Sequence, residues 1–199
     1  MSKLGQAIAE GDGISILVEV ADAETAEAAE RQGADGLVAL RGASAVRASS
    51  QLPLLHLGAT TDASGAAADA IVVRPDLAAW DEAHAFGLEC VVRVTHADEL
   101  ERALDQLDPG ILLLSVQPDS DEDPLEVLLA LLHDVPAGKL AIAELHDATA
   151  EDVAELERAG IDAVLVTAGD VAGLVPAEPP EVLGRDTARP KTTRCGSGF

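Results

Sequence analysis

Three charged residues interrupt apolar runs in this chain: Glu19 within residues 14–20, Arg93 within 89–94 and Glu144 within 140–145. A charge in an apolar segment needs a partner or water, so at least some of the three are expected to meet at a common polar centre. Further reactive or anion-binding types sit at the ends of similar runs. Arg41 and Arg74 follow two of them, His56 lies in a third, Ser115 and Thr167 close two more, and Gly169 follows Thr167. Together these suggest a pocket in which Arg41, Arg74 or Arg93 holds a small anionic molecule. Ser115, Thr167 and Gly169 would add substrate contacts. Glu144 or Glu19 would act as general acid or base, with His56 or His146 as a second proton carrier. The same residues admit a second reading, a paired ionic network that closes the protein without chemistry.

No set of His, Cys or Asp has metal-ligand spacing, and no metal or cofactor is expected. Glu19 with Asp22, or Asp119 with Asp121 and Asp123, could attract a hard cation, but such acid-rich loops are common in so acidic a chain. Cys90 and Cys195 lie far apart. Cys90 stands in an apolar run and is expected to be a reduced core residue.

The elements that must position these groups can be read from composition and pattern. The 199 residues suffice for one domain with a substantial core. Hydrophobic residues make up 48% and aromatics only 2%, so the core must be aliphatic and an aromatic stacking platform for nucleic acid is excluded. A net charge of −23 opposes binding to nucleic acid or anionic membrane. No run is long enough to span a bilayer, no signal peptide is visible, and a cytoplasmic location is expected. The charge does not decide the oligomeric state.

Residues 139–168 show the repeating unit most clearly. An apolar run over 140–145 leads into a loop and a helical pattern that ends at Gly160, and a second apolar run covers 162–167. Thr149 or Asp147 can cap the helix start, and Gly160 can take the left-handed cap conformation. The strand–helix unit recurs, with strands expected at 14–20, 35–40, 53–57, 69–73, 89–94, 111–114, 140–145 and 162–167. Eight such units imply a compact single-domain α/β protein, a (β/α)8 TIM barrel with shortened helices after strands 2 and 3. The usual barrel has about 250 residues, and an open doubly wound sheet is the structural alternative. Residues 1–13 are expected to form an irregular lead-in. The barrel is expected to occupy residues 1–174, and residues 175–199 a polar, partly basic tail.

The stretch from Glu89 to Leu174 resembles indole-3-glycerol phosphate synthase, within the ribulose-phosphate-binding barrels. Val91-Val92-Arg93-Val94-Thr95-His96-Ala97-Asp98-Glu99-Leu100 looks like that family's strand 5 and following helix, although the family carries a glutamate where Arg93 stands. Its strand 7 reads Ser-Glu-Ser-Gly-Ile, here Ala143-Glu144-Leu145-His146-Asp147. Its strand 6 asparagines and arginine correspond to Ser115-Val116-Gln117, and its Gly-Glu-Ser of strand 8 to Thr167-Ala168-Gly169. Glu19 matches the strand 1 glutamate, but the lysine two residues later is Ala21. The strand 3 Arg-Lys-Asp motif aligns with His56-Leu57-Gly58. No counterpart of the family's N-terminal helical extension is expected before strand 1.

The resemblance implies the barrel fold. It also implies loss of the lysine acid and of the phosphate-binding glycine that ring closure requires. The leading expectation is therefore a synthase-like barrel without synthase activity, serving a binding or structural role. The alternative is a lyase or isomerase acting on a small anionic substrate, including retained synthase-like activity.

Overall fold

The computed structural model describes residues 3–11, 13–117, 120–169 and 171–174. Eight parallel strands close in sequence order into a barrel, each bonded to the next and β8 to β1. They are β1 (Ser15–Glu19), β2 (Gly36–Ala39), β3 (Leu54–His56), β4 (Ala70–Val73), β5 (Glu89–Val94), β6 (Ile111–Leu114), β7 (Leu140–Glu144) and β8 (Ala163–Thr167). The open-sheet alternative is thereby set aside. The helices between them are α2 (Ala23–Arg31), α3 (Ala43–Ser49), α4 (Thr60–Gly65), α5 (Leu77–Ala85), α6 (Ala97–Gln106), α7 (Pro124–His133) and α8 (Ala150–Ala159). Those after strands 2 and 3 have 7 and 6 residues against 9 or 10 elsewhere, which is how the barrel fits a short chain.

Strand alternation divides the apolar residues into two cores. Leu17, Val38, Leu55, Val91, Leu113, Ile142 and Leu165 fill the barrel interior, while their strand neighbours pack outward against the helices. Because the barrel is closed, no strand edge is left open among the described residues.

The lead-in differs from expectation. Residues Lys3–Ala9 form a helix, α1, whose Leu4 and Ile8 are buried in the interior cluster and close the N-terminal floor of the barrel. The spacing of these two side chains, four apart on one helical face, is the reason. The segment is too short for a convincing periodic signal.

Capping follows local chemistry. Asp22 accepts from the Thr25 N–H and forms a capping box, which holds its carboxyl below the usual carboxylate range. Thr149 and Asp152 form a second box, and Gly160 closes α8 at φ +98°. Gly42 starts α3 at φ +66° and lies so close to Ala21 that a Cβ would sit 2.6 Å from the Ala21 carbonyl oxygen. Any side chain there would push apart the loops after β1 and β2.

Aspartates entering three strands repeat one device. Asp35, Asp69 and Asp162 each accept the backbone N–H of the preceding strand, from Ile16, Leu54 and Ala141, at 2.8 Å. Asp108 departs from it and instead binds Lys139 Nζ at 2.5 Å. The expected tail at 175–199, with Cys195, lies outside the described residues.

Candidate functional site

The C-terminal strand ends surround a cavity of about 1050 Å³. Its polar wall comes from β5 to β7. In the barrel register Leu114 stands beside Ala143, so Ser115 reaches the level of Glu144. Arg93 lies two strands from Glu144, with β6 between them. Alternation points Arg93 and Glu144 inward, the same face as Val91 and Ile142.

Glu144 is the hub of this wall. Its Oε1 accepts from Arg93 Nη2 at 2.6 Å, and the Ser115 hydroxyl donates to Oε2. His146 Nε2 stands 3.4 Å from the same Oε1, and His146 Nδ1 stands 3.6 Å from Glu19 Oε2. The imidazole thus lies between a carboxylate from β7 and one from β1. Glu144 is 11% exposed, while Arg93 is 34% and His146 47% exposed. The carboxylate is therefore held at the base of the wall, with the Arg93 guanidinium and the His146 imidazole more open to the cavity. Arg93 binds Glu144 through one nitrogen only, and its buried Nε has no hydrogen-bond partner. The pair is not a two-bond fork, and donor capacity remains on the guanidinium.

Arg74, at the end of β4, is exposed and lines the same cavity. Leu57 and Val72 supply an apolar side opposite the ionic wall. Near the start of α6, Glu99 Oε2 accepts the Thr95 N–H and hydroxyl, both at 2.9 Å, and lies 3.3 Å from His96 Nδ1. Burial pushes the Glu99 carboxyl up, but the Thr95 donors, with His96 and Arg102, outweigh it and hold it below the usual range.

A second cavity of about 440 Å³ lies beside the ends of β7 and β8, lined among others by His146, Thr167 and Gly169. The Thr167 hydroxyl donates to the His146 carbonyl at 3.0 Å, joining the two loops. The adjoining turn, residues Val171–Gly173, has its first N–H bound by Gln32 Oε1 at 2.9 Å.

Of the residues anticipated from sequence, Arg74, Arg93, Ser115 and Glu144 come together on the larger cavity, and Glu19 joins them through His146. Thr167 and Gly169 line the smaller one. Arg41 is exposed and lines neither.

His56 is a correction. It is 2% exposed and shares the outer strand face with Leu54, paired in register with Ala39 and Ile71 of the outer core. Its Nε2 lies so near position 58 that a Cβ on Gly58 would approach it to 2.6 Å. His56 thus packs behind the wall and cannot pass protons in the mouth. Counting from Leu55, an inward residue, already places His56 outward. The Thr95–His96–Glu99 cluster lies outside the residues singled out from sequence; its signal is Glu99, a carboxylate three residues into α6, from where it reaches back to the helix start.

No family model matches the chain. An indole-3-glycerol phosphate synthase from Variovorax paradoxus (strain S110) is 39% identical over 84 residues, 42% of this chain and 32% of that protein. The match thus spans about a third of its curated relative. Among solved structures, the N-acetylmannosamine-6-phosphate 2-epimerase from Clostridium perfringens superimposes with a TM-score of 0.63 at 16% identity, covering 80% of this chain and 88% of the other. That likeness concerns the fold. The chain is a closed (β/α)8 barrel, part of which is similar to that synthase. As such a barrel, it carries its polar residues where the fold places chemistry, at the C-terminal strand ends. Among the described residues no His, Cys, Asp or Glu group could hold a metal ion, and no helix is long and apolar enough to cross a membrane.

Proposed function

We propose that the larger cavity is the active site of a lyase or isomerase acting on a small anionic substrate. The observation that carries this reading is Glu144, a carboxylate held by Arg93, Ser115 and His146 on the wall of an open cavity that Arg74 also lines. Arg74 and the unused donors of Arg93 would hold the anion. Glu144 would take a proton from a carbon beside a carbonyl, and Arg93 would stabilise the oxyanion that forms. His146 and Glu19 would carry the proton onward. Leu57 and Val72 would seat the apolar part of the substrate and exclude water.

Synthase-type ring closure is a poorer fit. Its resemblance-based lysine positions are Ala21 and the His56-Leu57-Gly58 stretch, and no lysine lines the cavity among the described residues. A second reading, a binding or structural barrel without turnover, draws support from the 2.6 Å Arg93–Glu144 contact, which already neutralises the guanidinium.

Deuterium wash-in separates the two. The protein is incubated in D2O with a panel of small sugar phosphates and hydroxy-acids, and carbon-bound proton signals are followed by NMR. Signal loss with wild type, abolished in Glu144→Gln, is the expected outcome. No exchange across the panel would favour the binding barrel.

A further inference from the structure

Building on this anion-binding reading, we propose that the mouth takes up its anionic ligand together with a proton, and that His146 carries that proton. The ionic wall is arranged as an exchange. Glu144 Oε1 has two neighbours, the Arg93 guanidinium at 2.6 Å and the His146 imidazole Nε2 at 3.4 Å. The nearer one, permanently charged Arg93, satisfies the carboxylate. An anion that binds Arg93 competes with Glu144 for the guanidinium, which is partly exposed and uses only Nη2 on Glu144. Glu144 then loses part of its cationic partner while remaining mostly buried, held by the Ser115 hydroxyl.

The group able to restore that charge is the imidazole beside it. His146 has Glu144 on one ring nitrogen and Glu19 on the other. A neutral imidazole can donate to only one of the two carboxylates, whereas an imidazolium can donate to both. Loss of Arg93 to the ligand therefore favours protonation of His146, and by linkage protonation of His146 favours the ligand.

The other charged groups facing the mouth do not supply this response. Arg74 on β4 is always charged, and His96 already faces its own carboxylate, Glu99, 3.3 Å away on α6. Asp147 adjoins His146 and adds negative charge, which works in the same direction. On β8 the nearest polar group, the Thr167 hydroxyl, donates to the His146 backbone and cannot titrate in this range.

Sulfate is the suitable probe, because it does not itself titrate near neutral pH. Unbuffered protein at about pH 7, within the range where histidine changes charge, is titrated with sodium sulfate against a sodium chloride control. The acid needed to hold pH constant is measured, and binding is read in parallel from NMR shifts. Wild type is expected to bind sulfate and to consume acid, and to bind it several-fold more weakly as pH rises from about 6 to about 8. His146→Gln is expected to lose the acid uptake. His133→Gln, on the far end of α7, should retain it.

Sulfate binding without acid uptake, or uptake that survives His146→Gln and vanishes in His96→Gln, would overturn the proton coupling while leaving the anion site standing. Absence of sulfate binding would overturn both. A normal thermal unfolding transition for each variant guards against reading misfolding as loss of coupling.

Discussion

Arg93 Nη2 and Glu144 Oε1 meet at 2.6 Å across the intervening strand β6, and both side chains border the same open cavity. A direct ion pair at a strand-end mouth can be a closure or a poised site. The bond uses one guanidinium nitrogen and leaves Nε unpaired, which is poor geometry for a purely structural clasp. Glu144→Gln should therefore raise sulfate affinity several-fold by freeing Arg93, while lowering fold stability by about 1–2 kcal/mol. Sulfate titration and urea unfolding on the same variant check both. Unchanged affinity would mean that Arg93 is not reachable from the cavity.

Asp69 should matter more to stability than its counterparts at the other strand entries. Its Oδ2 accepts the Leu54 N–H and also pairs with Arg47 at 2.6 Å, and Arg47 in turn donates to the Ser50 and Leu52 carbonyls. Removing it leaves a largely buried cation. Asp69→Ala is expected to cost about 3 kcal/mol, against about 1–2 kcal/mol for Asp35→Ala, which loses a hydrogen bond alone. Denaturant midpoints decide; equal losses would show that Arg47 finds another partner.

Glu99 gives a pH-dependent contribution. Its carboxyl is held below the usual range in the fold, so its stabilisation is present above the unfolded-state value of about 4.3 and is lost as pH falls through the lower folded-state value. Wild type should be more stable than Glu99→Gln at neutral pH. The gap should narrow on acidification below that unfolded value. Urea unfolding at several pH values reads it, and a gap that stays constant into strong acid would contradict the assignment.

Cys90 is expected to be unreactive. Burial, with Glu89 nearby, pushes its thiol up to about 11. In a Cys195→Ser background, alkylation by iodoacetamide at about pH 8 should be at least a hundredfold slower than for a free thiol of ordinary value. Rapid alkylation of the folded protein would show that the thiol is exposed.

The barrel was legible because the strand–helix unit recurs along the chain, and Thr149 and Gly160 mark helix ends that the structure reproduces. The inward charges were legible because Arg93 and Glu144 break apolar runs. Two things escaped. Helix α1 is seven residues long and stabilised by packing into the barrel floor, so its tertiary contacts outweigh any local signal. His56 has the residue type of a catalytic group, but a one-residue shift in a strand exchanges faces, and its neighbours place it outward. The His146 bridge needed three dimensions, since it joins β1 and β7 across 127 residues of sequence but one intervening strand.

The most direct test of the account follows the Arg93 guanidinium itself. The Nε–H resonance of Arg93, assigned by its loss in Arg93→Lys, is recorded while sulfate is added at constant ionic strength. The account predicts a saturable shift at Arg93, accompanied by shifts at Glu144 and His146 and absent from Arg47, which is paired on the outside of the barrel. An Arg93 signal that stays fixed as sulfate rises, with Glu144 unmoved, would mean that the pair is a closed clasp and that the mouth is not an anion site.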